Sequence, residues 1–219
     1  MTAPADTRQR TSFYPIIVAV FCGLLLISNV AAVKAIQIGD LTFDGGAILF
    51  PLTYVLGDVL AEIYGFGKAK LAIWTGFSLG ALASLCFWIV DVLPAPPEYG
   101  MSGDFHNVLG FVPGIVLASL AAYLAGQFLN SWVLVKIKQR TKEGKLWARL
   151  LGSTYVGQFV DTLVFCFLAT TIGPIPSELF WNYFLVGYIF KCAVETVMLP
   201  VTYRVIAAIK KREPDYRPA

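Results

Sequence analysis

Apolar positions along the chain gather into six runs, about 13 to 34, 46 to 64, 69 to 93, 107 to 135, 149 to 172 and 179 to 208, parted by short charged or proline-rich stretches. An α-helix rises about 1.5 Å per residue, so some twenty apolar residues cross the roughly 30 Å of a bilayer's hydrocarbon core. Each run therefore predicts a transmembrane helix. The first is longer than the apolar stretch of a secretory leader, about 7 to 15 residues, and reads as a retained helix. The pattern predicts an all-α integral membrane protein with one domain of six transmembrane helices over residues 13–208, a tail over 1–12 and another over 209–219. Ser28 and Asn29 predict an interruption of the first helix, and Gly45, Gly46 and Pro51 an irregular start to the second. Gly152 and Gly157 allow close packing around the fifth. Small residues at Gly76, Gly80, Ala83 and Ser84 allow close helix contact, within the bundle or between two copies in a homodimer.

Composition sharpens this. Of 219 residues, 57% are hydrophobic and 14% charged, against about 25% charged in a soluble domain, which sets aside soluble enzyme folds and disordered chains. Fifteen of the seventeen Lys and Arg residues fall at one side of the expected topology: Arg8, Arg10, Lys68, Lys70, the cluster from Lys136 to Arg149, and the group from Arg204 to Arg217. The opposite loops carry Asp40, Asp44, Glu98, Asp104 and Glu178. Positive residues mark the cytoplasmic side, so both termini are expected there. Orientation by the membrane also accounts for the basic loop at 136–149, so no nucleic-acid partner is expected. Cys22, Cys86, Cys166 and Cys192 lie in apolar runs without metal-ligand spacing and read as packing residues, and the single histidine, His106, lies in a polar loop. No metal and no cofactor is expected.

Function in such a chain resides in the polar residues of its spans. A charge at the bilayer centre costs about 2.5 to 3.5 kcal/mol even on the lenient insertion scale, and so demands a partner or a hydrated cavity. Five residues are deep: Asp58, Glu62, Asp161, Lys191 and Glu195. Asp58 and Glu62 are four apart, as are Lys191 and Glu195, and Gln158 precedes Asp161 by three, so each set shares a helical face. The stripes extend through Pro51 and Tyr54 on the second helix, Tyr155 and Thr162 on the fifth, and Tyr188 and Thr202 on the sixth. Their depths bring Asp161 and Lys191 level near the midplane, where they can form an ion pair; the alternative is that Lys191 with Glu195, or with Asp161, is only a structural lock between helices. Glu62 can equally be interfacial, screened by Lys68 and Lys70, and Lys34 can snorkel to water. Four carboxylates against one ammonium leave a surplus that protons, water or a ligand must offset. Thr53-Tyr54-Val55 and Thr154-Tyr155-Val156 form a short internal echo, weak support for a 3+3 inverted repeat.

Ser28-Asn29 followed by Lys34, Phe50-Pro51-Leu52, the stretch Asp58-Val59-Leu60-Ala61-Glu62-Ile63-Tyr64-Gly65, and Gly157-Gln158-Phe159-Val160-Asp161-Thr162 together resemble the queuosine precursor transporter family, part of the vitamin uptake transporter group. The resemblance covers about residues 13 to 208, and Asp-x-x-x-Glu-x-Tyr-Gly is its most specific element. It implies import of cyano- or aminomethyl-deazaguanine bases across the bacterial inner (cytoplasmic) membrane for salvage into transfer RNA modification. The residue chemistry is compatible. A guanine-like edge offers a ring N–H and an exocyclic amine to a carboxylate, and Tyr54, Tyr155, Phe165 or Trp181 can cover a ring face. The expected substrate-binding set is Asn29, Tyr54, Asp58, Glu62, Tyr155, Gln158, Asp161, Lys191 and Glu195. Asp161 and Gln158 are assigned to the base edge, Asp58 and Glu62 to binding or relay of protons, Lys191 and Glu195 to charge balance. The alternative is a substrate-binding subunit of an energy-coupling-factor vitamin importer. Catalysis is not expected, since the chain has no Gly-x-Ser-x-Gly, His-Glu-x-x-His or nucleotide-binding loop.

Overall fold

A computed structural model describes residues 12–141 and 146–213. Residues 1–11 and 214–219 of the tails, with the basic residues Arg8, Arg10 and Arg217, lie outside the described residues, as do Lys142 and Lys145 and the side chains of Lys138, Arg140 and Arg149. Helix α1 (Tyr14–Ala31) starts with Pro15 in its first turn, where a missing N–H is harmless. It continues unbroken through Ser28 and Asn29, which corrects the expected interruption. Asn29 is buried and its Oδ1 accepts from Ser119 Oγ at 3.0 Å, so the polar side chain is satisfied across a helix interface without unwinding its own backbone.

The chain is not purely helical. After α1, β1 (Ala35–Ile38) and β2 (Leu41–Asp44) pair as an antiparallel hairpin, Ile38 opposite Leu41. Its two-residue turn contains Gly39 at φ 60°, the positive φ that tight hairpins require. Asp44 then caps a 3-10 turn over Gly45–Leu49, its Oδ1 accepting the Ala47 N–H at 3.1 Å. The irregular start expected from Gly45, Gly46 and Pro51 is this turn, after which α2 (Phe50–Val92) begins.

Helix α2 is two arms joined at one residue. Gly65 alone leaves helical geometry, at φ 79° and ψ 166°. Gly46 lies against Ser28 and Tyr64 against Tyr14, so the first arm runs antiparallel to α1. Gly76 meets Leu25 and Gly80 approaches Asn29, so the second arm runs parallel to it. The chain thus reverses at Gly65, in a region of φ and ψ open almost only to glycine, where another residue costs about 1 to 3 kcal/mol. Gly65→Ala is expected to destabilise the protein by about that amount, measurable as a lower thermal unfolding temperature in detergent.

Helices α3 (Ser102–Leu109), α4 (Val112–Thr141), α5 (Leu146–Thr171) and α6 (Phe180–Lys210) complete the chain, with a 3-10 turn over Ser177–Leu179 before α6. The fourth apolar run thus contains a break near Gly110, and His106 sits on α3, not in a loop, 2.6 Å from Asp91. Helix α4 packs antiparallel on the second arm of α2, α5 on α4, and α6 on α5. The α4–α5 contact is close because Gly126 and Gly157 face it: a Cβ at Gly126 would lie 2.7 Å from Asp161 Cβ, and one at Gly157 2.7 Å from Asn130 Cβ. Both ends of the described chain meet at one end of the bundle, where Glu213 accepts from the Tyr64 hydroxyl at 2.5 Å and from the Phe13 N–H at 3.0 Å.

Among the described residues, five helical stretches are long and apolar enough to cross a membrane: Tyr14–Ala31, Gly67–Val92, Ser102–Asn130, Leu151–Thr171 and Ser177–Lys210. The first arm of α2 is shorter and carries Asp58 and Glu62. Leu82, Trp88, Phe128 and Val197 are among many large apolar side chains facing outward, which suits a lipid surround. Cys22 and Cys166 are buried as packing residues, whereas Cys86 is exposed on the same outer surface.

Candidate functional site

The deep polar residues resolve into three groups along the α5–α6 seam and its neighbours. At the centre, Lys191 Nζ donates to Asp161 Oδ2 at 2.6 Å, with Lys191 only 6% exposed. Asp161 reaches this position because the glycines at 126 and 157 let α4 and α5 approach. A buried pair of this kind holds two helices in register while costing desolvation on both sides.

Further toward the Tyr64 end lies the second group. Gln158 Nε2 donates to Glu195 Oε2 at 3.3 Å, the Thr154 hydroxyl also bonds Glu195, and the charges of Asp58 and Glu195 lie within interacting range. Protein surrounds Asp58, yet its side chain keeps an exposed face. Nearby, Tyr155 Oη and Thr196 Oγ1 share a hydrogen bond of 2.6 Å.

Glu62 stands apart. It is exposed and pairs with Lys210 Nζ at 2.5 Å, not with Lys68 or Lys70; the Lys68 ammonium lies over the rings of Tyr14 and Tyr64. Asn29 is separate too, bound to Ser119 and lining an apolar cavity of about 110 Å³ between α1, the second arm of α2 and α4 with Leu26, Gly80 and Phe87. The side chain of Tyr54 lies outside the described residues. Trp181 is exposed and packs edge-on to Phe180 and Phe184. Of the expected set, the structure therefore assembles Asp161 with Lys191, and Asp58, Gln158 and Glu195 beside them, while Glu62 and Asn29 lie elsewhere.

One member of the central group was read from sequence as an outer-loop carboxylate. Asp44, at the end of β2, is buried and within charge range of Lys191. Burial pushes its carboxyl up from the ordinary aspartate range, against the pull of the Lys191 ammonium and the Ala47 N–H. The signal available in the sequence was Asp44 preceding Gly45-Gly46, an acceptor placed to cap the turn that follows. The hairpin carrying it is pinned to α6 by Asn182, which accepts from the Thr42 N–H at 2.8 Å and donates to the Asp40 carbonyl at 2.9 Å.

Outward-facing apolar helices around a line of buried and partly buried charges define a multi-pass helical membrane protein with a polar interior. The family described as "Putative vitamin uptake transporter" matches residues 44–205. The chain belongs to that family. It is 32% identical over 192 residues to the "Probable queuosine precursor transporter" of Bacillus subtilis, covering 86% of this chain and 80% of that one. It is 28% identical to the "Queuosine precursor transporter" of Escherichia coli, covering 74% and 71%, and 26% identical to the "Probable queuosine precursor transporter" of Haemophilus influenzae, covering 77% and 70%. No solved structure matches.

Proposed function

We propose that this chain is a queuosine precursor transporter, importing cyano- or aminomethyl-deazaguanine bases across the bacterial inner membrane. The observation that carries the reading is the likeness to relatives so named across most of both chains. The polar interior supports it: charges retained inside a lipid-facing bundle mark a pathway for a polar solute. The chain crosses six times with both termini cytoplasmic. The alternating helix directions and the meeting of Phe13 with Glu213 support an even number of crossings, and the basic residues orient them. The first arm of α2, with its hairpin and 3-10 entry, serves as the discontinuous span that transporters place at a solute site.

In this mechanism the substrate enters between the hairpin end and α6 and passes along the α5–α6 seam. The Lys191–Asp161 pair separates the outer part of the path from the Asp58–Glu195 group. Those two like-charged carboxylates are the natural carriers of a coupled proton, since one of them sheds repulsion by taking it up. Uptake of labelled cyano-deazaguanine by the purified chain in liposomes tests the whole reading. Active uptake without partner subunits is expected, faster under an inward acid gradient. Asp58→Asn and Asp161→Asn are expected to lose at least about tenfold of that rate, the first by removing one of the two proton-carrying carboxylates and the second by removing the charge-assisted contact to Lys191. Normal uptake by both variants at normal expression overturns the pathway, and indifference to the gradient removes the proton.

A further inference from the structure

The residues assigned from sequence to the base edge are already engaged. Asp161 holds Lys191, and Gln158 is turned to Glu195. On the outer side of the Lys191–Asp161 pair lie two hydroxyls in the opposite condition. Thr162 Oγ1 and Tyr183 Oη are buried, at 2% and 3% exposure, and have no hydrogen-bond partner among the described residues. Buried hydroxyls are normally bonded, so each such orphan calls for an explanation.

Their placement supplies one. Tyr183, Gly187 and Lys191 recur at intervals of four along α6 and so share one face. Thr162 of α5 sits opposite Gly187, whose missing Cβ would lie 3.5 Å from Thr162 Cγ2, which sets Thr162 between Tyr183 and Lys191 in height. Asp44 lies within charge range of both Lys191 and Tyr183, and the turn it caps seats Gly46 against Ala32, a member of the same buried cluster as Tyr183. A carboxylate has about four acceptor sites, and the Ala47 N–H and neighbouring backbone amides occupy only part of that capacity.

We propose that Asp44, Thr162 and Tyr183 form the subsite that reads the polar edge of a guanine-like base. Asp44 accepts from the ring N–H and the exocyclic amine, and the two hydroxyls donate to the adjacent carbonyl oxygen. The donor–donor–acceptor order of such an edge is the complement of a carboxylate beside hydroxyls. The local excess of one carboxylate over the single ammonium further favours a hydrogen-bond-donating ligand over an anion. This deepens the import reading and rests on it.

The test is competition uptake in liposomes with the full chain and labelled cyano-deazaguanine, comparing unlabelled 7-deazaguanine as the reference competitor with 7-deazahypoxanthine, which lacks the exocyclic amine, and 2-amino-7-deazapurine, which lacks the carbonyl and with it the ring N–H. In the wild type both analogues are expected to compete about tenfold or more less well, because each leaves a buried polar group unpaired. Asp44→Asn keeps an oxygen for the Ala47 N–H but is expected to lose affinity by roughly 10- to 100-fold, along with the preference over 7-deazahypoxanthine. Thr162→Val and Tyr183→Phe are expected to weaken the guanine-type base by about three- to tenfold and leave 2-amino-7-deazapurine unaffected. Because each removes an unpaired hydroxyl, their thermal unfolding in detergent stays equal to the wild type or rises. Wild-type selectivity in all three variants, or a loss of stability in the two hydroxyl variants with unchanged affinity, overturns the assignment. Should Asp44→Asn fail to fold, the hydroxyl variants decide it alone. A wild-type chain that transports no deazaguanine base removes the import reading and this one together, whereas normal wild-type transport with indifferent variants removes only this one.

Discussion

Lys191→Met is expected to destabilise the protein by about 3 to 5 kcal/mol, the range for removing one partner of a buried ion pair. The ammonium is the one cation within reach of both Asp161 and Asp44 among the described residues. Without it, two carboxylates in poorly hydrated surroundings lose their compensating charge. Methionine matches much of the lysine stem, so the loss comes from the stranded charges and only slightly from packing. A second substitution separates these contributions. In Lys191→Met/Asp161→Asn, one of the two carboxylates is also neutral, and much of the lost stability is expected to return, since removing both members of a buried pair is often close to neutral. Uptake is not expected to return with it. Thermal unfolding of the detergent-solubilised variants, run beside liposome uptake, reads both effects. Equal stability of the single variant and the wild type would mean that the pair contributes nothing to holding α5 against α6.

The α5–α6 seam was legible in the sequence because helical spacing and rise per residue are strict. Asp161 and Lys191 each fall near the centre of a long apolar run, and two antiparallel helices of known rise bring those centres level. That Gln158 and Glu195, each about one turn from this pair on its own helix, bond each other is a finding of the structure. What escaped were features set by a few residues of non-helical backbone. The strands of the hairpin have four residues each, too short for alternation to stand out between two apolar runs. Asp44 therefore read as a loop charge, and its burial was invisible. Tyr183 looked like one more aromatic residue in an aromatic helix, because only the contacts of its hydroxyl distinguish it. Glu62 shares a face with Asp58 but lies a further turn along, far enough for Lys210 to reach it from the end of α6. Ser28 and Asn29 suggested a break because polar side chains in a span need partners; the partner came from α4, which the sequence of α1 cannot show.

Gly46→Ala is expected to combine a loss of stability of about 1 to 3 kcal/mol or more, as overpacking does, with a disproportionate loss of transport. A Cβ at Gly46 would lie 2.6 Å from the Ser28 carbonyl oxygen and 2.9 Å from Asp44 Oδ1. The first is helix backbone within α1 and cannot yield as a flexible side chain would. The 3-10 turn must move instead, and with it the cap that holds Asp44, whose carboxylate oxygen is the second obstacle. Gly45 is equally confined, its Cβ position 2.5 Å from the Ala31 carbonyl oxygen, so a shift along the chain offers no escape. Two consecutive glycines therefore seat the hairpin end against α1 so that its aspartate faces Lys191. Gly80→Ala serves as the control, because its nearest neighbour is a valine methyl at 3.5 Å, an ordinary contact. Thermal unfolding and uptake per folded molecule should both fall for Gly46→Ala and stay near wild type for Gly80→Ala. If Gly46→Ala lost stability but transported normally per folded molecule, the seating of Asp44 would be irrelevant to the solute path.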